Sequence, residues 1–422
     1  MRGSRVIIIG AGPKAMAIAA KQTALAELGF PVPELHIIER SEVGAHWTGR
    51  GGFTNGELTL GTSPEKDIGF PYRSQVWGDS LSRKIDRRMK DFSWASFLID
   101  QGEYSDWIDR GRPAPIHSKW AQYLQWLSPQ VTRRTRFYCG EAMRIELDRD
   151  QWKITVQHAD SSLEICEGDG LVMTGPGRVR TPEPLPNDDR LLTIESFWSR
   201  YRQILSRGIK KVAIVGSGES AAAIALALQN TAEITLYSPR GMAYSRGESF
   251  FENRVYSHAE RENWVDLSLE ARREFIARTD RGVFSQSAQN DLSRVENFHI
   301  LPGRYCAIES GGEEIRLVSE YQNRRTVHGF DLVVLAPGAD PLGFLKERMP
   351  PVTFEELKTR AGVNSFEEEE IELKIESTLA ISGLRPLLHI PMLAGVTQGP
   401  GFANLSCLGS LSDHILLAYV PL

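Results

Sequence analysis

Cysteine is scarce in this sequence. Four occur in 422 residues, Cys139, Cys166, Cys306 and Cys407, and no two are spaced C-x-x-C. That excludes a disulfide framework, a zinc cluster and a dithiol redox centre, and it fits reduced thiols in a cytoplasmic protein. Long apolar runs are also missing. None approaches the ~20 residues of a membrane span. The first run, Val6–Ile9, passes straight into a glycine turn and Lys14, too short for the core of a secretory signal. Charge of one sign is lacking as well. The 49 Lys+Arg against 54 Asp+Glu leave a net charge of -5, so no basic field would draw nucleic acid. The nine histidines form no H-x-x-H or HExxH pattern, which leaves no metal site to expect, and no Ser–His–Asp elbow is present.

What remains is an ordinary globular composition, 41% hydrophobic and 24% charged, long enough for two or three domains. One pattern occurs twice. Arg5-Val-Ile-Ile-Ile leads into Gly10-Ala-Gly12-Pro-Lys-Ala15 and an alanine-rich stretch to Leu28. Lys211-Val-Ala-Ile-Val leads into Gly216-Ser-Gly218-Glu-Ser220-Ala221 and a second small-residue stretch. Each is a β-branched strand, a glycine turn and a helix, followed by a further strand at Glu34–Glu39 or Glu233–Tyr237. A single G-x-G-x-x-[GA] is weak evidence; two in matching contexts predict two Rossmann-like α/β units. Other apolar strands, Gly170–Thr174 and Asp331–Leu335, enter glycine turns and read as crossings between the units. Lys119–Leu127 reads as an amphipathic helix, and the acidic stretch from 350 to 370 as solvated helix or loop.

The two units differ where a dinucleotide ribose would sit. The first offers Glu39, a carboxylate suited to ribose hydroxyls, 29 residues past Gly10, with Gly29–Pro33 absorbing the extra length. The second offers Tyr237-Ser238-Pro239-Arg240 and no acid. A hydroxyl and a guanidinium suit a 2′-phosphate, with Arg246 as a second cation. The expectation is FAD on the first unit and NADPH on the second. Flavoprotein disulfide reductases share that pairing but need a cysteine pair beside the flavin. Its absence leaves oxygen chemistry or another acceptor.

Several longer stretches resemble the flavin-dependent N-hydroxylating monooxygenases, the lysine and ornithine N-hydroxylases of siderophore biosynthesis, and most of all the mycobactin-type lysine enzymes. They include Leu60-Gly-Thr-Ser-Pro-Glu-Lys66, Asp106-Trp-Ile-Asp-Arg-Gly-Arg-Pro, Gly247-Glu-Ser-Phe-Phe-Glu-Asn253, Ala277-Arg-Thr-Asp280-Arg-Gly and Thr397-Gln-Gly-Pro-Gly-Phe-Ala-Asn. The resemblance covers essentially the whole chain. It implies N6-hydroxylation of L-lysine or a lysine-like amine, with NADPH and O2, through a C4a-hydroperoxyflavin. By the same resemblance Lys66 and Asn253 hold the substrate carboxylate, Trp47 lies near the flavin, and Ser412 belongs to a segment closing over flavin and substrate. Two departures bear on specificity. Gly61 stands where the ornithine enzymes carry glutamine, and Asp280 where they carry asparagine, making Asp280 a candidate for the cationic amine.

The expected domains are 1–205 and 326–422 for FAD, with 206–325 inserted for NADPH. Ornithine as substrate, a related flavin monooxygenase acting on another amine or sulfur, and a non-catalytic nucleotide-binding protein stay open. So do a homo-oligomer and an acylated or carrier-tethered substrate. A lysine-like amine must also lose a proton, which at pH 7 costs roughly 4.6 kcal/mol against a solution pKa of ~10.4.

Overall fold

The computed structural model describes residues 4–131, 133–181 and 185–421. The strand Arg5–Ile9 lies within a seven-stranded sheet, flanked in parallel by Gly170–Met173 and Glu34–Glu39. Leu387–His389 extends the sheet in parallel at one edge, beside Gly170–Met173. At the other, the long strand Thr135–Asp148 runs parallel to Glu34–Glu39 and then turns into an antiparallel ladder with Gln151–His158 and Leu163–Gly168. All four residues of Gly170–Met173 are buried, as expected of a strand covered on both faces.

The helix Pro13–Glu27 owes its place to its small side chains, and every residue from Lys14 to Leu25 is buried. It packs against the C-terminal helix Leu408–Leu417, and the two are joined by an ion pair, Lys21 Nζ to Asp413 Oδ1 at 2.6 Å, with both side chains almost fully buried. Trp77 Nε1 donates to the same carboxylate at 2.8 Å. His389, fully buried at a strand end, is held between the carbonyl of Thr378 at 2.8 Å and the Tyr419 hydroxyl at 2.7 Å.

The second sheet is parallel throughout, in the order Phe298–Pro302, Glu233–Ser238, Lys211–Val215, Leu332–Leu335, Leu191–Thr193. It encloses its own hydrophobic core, built on Ile214, Ile224, Leu236 and Val334 and separate from that of the first sheet. Sheet membership thus carries the second unit from 191 to 335. The unit therefore takes in strands on both sides of the expected 206–325 span, because a parallel sheet recruits strands from distant stretches of chain.

The two crossings run side by side. Arg178–Val179 pairs antiparallel with Ala339–Asp340. Gly177 has φ +92° there, and a Cβ on it would lie 1.8 Å from the Asp340 carbonyl oxygen, so only glycine fits. The acidic stretch forms the helix Pro351–Ala361 and a short turn of helix at Glu368–Ile371. Its acids are not merely solvated: Glu368 pairs with Arg180, and Glu367 with Lys346. Lys119–Leu127 falls within the helix His117–Leu127. No helix among the described residues is long and apolar enough to cross a membrane.

Candidate functional site

At the first glycine turn, Gly10 N–H donates to the Ile38 carbonyl at 2.8 Å. Glu39 receives the N–H of Ala11 at 2.9 Å on one carboxylate oxygen and that of Ser41 at 2.9 Å on the other. The acid thus stands against the turn, where the sequence places a ribose partner. Gly12 caps the following helix without a side chain, and its first turn holds no acid, so uncapped N–H groups and the positive end of the helix dipole face the turn. Ala15 is fully buried in the helix–sheet contact. These features fit the diphosphate and ribose of FAD. Beside them lies Lys14, a cation that the glycine motif does not single out, although it interrupts an otherwise alanine-rich helix. The residue is 9% exposed, and its ammonium contacts the Ala403 carbonyl and Met392 Sδ, both at 3.0 Å, and no carboxylate among the described residues. Burial pulls its pKa down to about 8.

At the second turn, Gly216 has φ +130°, and a Cβ there would lie 2.1 Å from the Ala336 carbonyl oxygen. Gly218 begins the helix Glu219–Leu228, again without a side-chain cap, and Ser220 in its first turn lines a cavity of about 810 Å³ together with Gly216 and Gly218. This too fits a dinucleotide. The three residues expected at its 2′-phosphate are not gathered there. Ser238 is fully buried, its hydroxyl donating to the Met242 carbonyl at 3.1 Å. Arg240 donates to the carbonyls of Ala277 (3.2 Å), Arg281 (2.7 Å) and Gly282 (2.5 Å), with its guanidinium over the Tyr244 ring. Arg246 lies in a different cavity.

That other cavity, about 800 Å³, lies between the two units. Lys66 comes from the loop after Leu60, and Asn253 from the helix Phe250–Ser257, whose start is fixed by a capping box between Ser249 and Glu252. The Lys66 ammonium donates to Asn253 Oδ1 at 2.6 Å, and the Asn253 amide nitrogen is tied to the Glu248 carbonyl at 2.7 Å. Arg246 stands beside them, donating from Nε to Glu248 at 3.0 Å and from its terminal nitrogen to the Gly61 carbonyl. The glycine at 61 leaves that space open: a Cβ there would lie 3.2 Å from Glu219 Oε1 and 3.8 Å from Arg246. Burial, then the neighbouring Arg246 charge, holds the Lys66 pKa below its usual value. An ammonium and an amide thus meet in one pocket, with Arg246 beside them and paired to Glu248 at 2.8 Å, a set able to hold a carboxylate.

Trp47 lines the same cavity, edge-on to His117 at 4.9 Å. Burial lowers His46 and His117 to about 4, so both are neutral at pH 7. Asp280, just past the helix Leu269–Thr279, forms part of the wall of both cavities, and Asn404 reaches its carboxylate at 3.5 Å. Ser412 does not reach either cavity: it is fully buried, its hydroxyl donating within its own helix to the Gly409 carbonyl at 2.7 Å. The same helix is anchored through Asp413, and the C-terminal segment contributes Asn404, Leu405 and Ser406 to the wall instead.

Relatives share this organisation. The profile of the L-lysine 6-monooxygenase/L-ornithine 5-monooxygenase family matches residues 87–339. The L-lysine N6-monooxygenase MbtG of Mycobacterium tuberculosis is 39% identical over 415 residues, covering 97% of this chain and 93% of that protein. The lysine monooxygenase NbtG of Nocardia farcinica is 38% identical, with a TM-score of 0.84 over 97% of this chain and 98% of its own. An ornithine N-hydroxylase from Kutzneria sp. 744, 17% identical, matches 99% of both chains with a TM-score of 0.78, a likeness of fold. The chain belongs to the L-lysine 6-monooxygenase/L-ornithine 5-monooxygenase family.

Proposed function

We propose that this protein hydroxylates the side-chain nitrogen of L-lysine, or of a lysine-like amine, with FAD on the first unit and NADPH on the second, as a step in siderophore biosynthesis. The observation that carries the reading is the 2.6 Å contact between Lys66 and Asn253, which brings the two expected carboxylate-binding groups together from opposite units. Arg246 stands beside the pair, its charge shared with Glu248 at 2.8 Å. In this reading the enzyme works in the cytoplasm, where NADPH is regenerated.

Bound flavin supplies the chemistry, accepting a hydride from NADPH and activating O2. The chain binds, orients and shields. Lys66, Arg246 and Asn253 hold the substrate carboxylate, so the length of the side chain sets how far the amine reaches. Burial in the cavity favours the neutral amine. Asp280, on the shared wall, is the carboxylate we assign to the amine end, where it receives the substrate as its ammonium.

The test supplies FAD, NADPH and oxygen with lysine, ornithine and N-acyl-lysine in parallel, and assays hydroxylamine directly, since peroxide from uncoupled turnover also consumes oxygen. Hydroxylamine formed fastest from lysine supports the reading. Fastest turnover of ornithine or the acylated amine moves the substrate assignment. NADPH oxidation stimulated only by other amines or sulfides, or no flavin bound at all, overturns it.

A further inference from the structure

We propose that Arg304 is the residue that reads the 2′-phosphate of NADPH and so sets the preference for NADPH over NADH. The inference rests on the assignment of NADPH to the second unit. In a doubly wound sheet, the group that discriminates the 2′ position sits just past the second strand of the unit, here Glu233–Ser238. The turn that follows this strand cannot supply it. Ser238 is buried with its hydroxyl on Met242, Pro239 has no N–H, and Arg240 is held by three carbonyls of the 277–282 segment.

The neighbouring strand brings a replacement to the same place. Phe298–Pro302 runs parallel to Glu233–Ser238, with Pro302 in register with Ser238. The next residue, Gly303, donates its N–H to the Ser238 carbonyl at 3.0 Å, so Arg304 leaves the sheet beside the turn. Arg304 lines the cavity of the second glycine turn, as does its neighbour Tyr305. Its guanidinium makes no hydrogen bond or ion pair with any described residue. The acid opposite it in the ladder, Glu320, is already paired with Arg325 at 3.1 Å.

Other arginines line this cavity. Arg180 and Arg273 are neutralised by Glu368 and Glu372. Arg281 makes no side-chain hydrogen bond among the described residues, but it adjoins Gly282, close to Gly218, which is the diphosphate end of the site. Arg240 plays a different part. Its three hydrogen bonds hold the 277–282 segment in place, so it serves any dinucleotide equally. A charge-assisted guanidinium–phosphate contact is worth about 10- to 100-fold in affinity.

The experiment titrates the flavin-loaded protein with NADP+, NAD+, 2′,5′-ADP and 5′-AMP by calorimetry. For the wild type, 2′,5′-ADP should bind at least 10-fold tighter than 5′-AMP. Equal binding there would remove the NADPH assignment itself. Arg304→Gln should weaken NADP+ and 2′,5′-ADP by about 10- to 100-fold and change NAD+ and 5′-AMP by less than about 2-fold. Arg240→Gln should weaken NADP+ and NAD+ alike. An Arg304→Gln protein that keeps the wild-type ratio of NADP+ to NAD+ affinity overturns the proposal. So does collapse of that ratio in Arg240→Gln or Arg281→Gln instead.

Discussion

Lys66 reaches Asn253 across the seam between the two units, and its pocket holds it below its usual pKa. Lys66→Ala should raise KM for the amine by about 10- to 100-fold, the worth of a hydrogen bond between charged groups, while bound flavin stays at the wild-type level. Flavin loss with an unchanged KM would count against the clamp. This pair was legible because each residue sits in a distinctive stretch of sequence. Where Arg246 and Ser238 lie was not legible, for a physical reason: position along a chain does not say which way a side chain points. Ser238 ends a strand whose last five residues are all buried, and the Arg246 side chain turns towards Gly61.

His389 gives a residue-level test of pH dependence. Burial lowers its folded pKa to about 4, below the unfolded value of 6.5. Its neutral form therefore contributes stability that is fully present above pH 6.5 and is lost as pH falls through 4. By pH 5 the loss is about 2 kcal/mol. The cost of His389→Gln, measured by urea unfolding, should accordingly be about 2 kcal/mol smaller at pH 5 than at pH 7. An equal cost at both pH values would show that His389 does not titrate in this window.

Among the elements, the helices Pro13–Glu27 and Leu408–Leu417 are held together by the buried Lys21–Asp413 pair. Lys21→Ala would strand a buried carboxylate and should cost about 3–5 kcal/mol, whereas replacing both partners by apolar residues of similar size should cost far less. Thermal unfolding of the single and double variants separates these outcomes. Gly177→Ala would press a methyl group into the Asp340 carbonyl and should destabilise by about 2 kcal/mol or more. The elements around the glycine turns were readable because strand, turn and helix leave local marks. The antiparallel ladders at 135–168 and 304–330 leave fainter ones. Their strands are partly exposed, and their alternation is broken by register shifts at Ala142/Arg144 and Tyr305/Ala307.

Over the whole molecule, the nested order was legible from where the two glycine turns and the crossing strands fall. The boundaries were not, since Leu191–Thr193 is too short to announce the sheet it joins, 20 residues ahead of Lys211. The two sheets keep separate cores, joined by a two-stranded crossing and by pairs such as Arg273–Glu372.

A shared wall connects the two cavities in another sense. Asp280, Glu219 and Ser220 belong to the walls of both cavities, the one with the carboxylate clamp and the one with the second glycine turn. A wall in common gives the two occupants a route to thermodynamic linkage. If NADP+ changes the affinity for lysine by some factor, lysine must change the affinity for NADP+ by the same factor. Titrating each ligand with and without the other should return one number from two directions. Asp280→Ala, by removing a side chain from the wall of both cavities, should bring that number towards one.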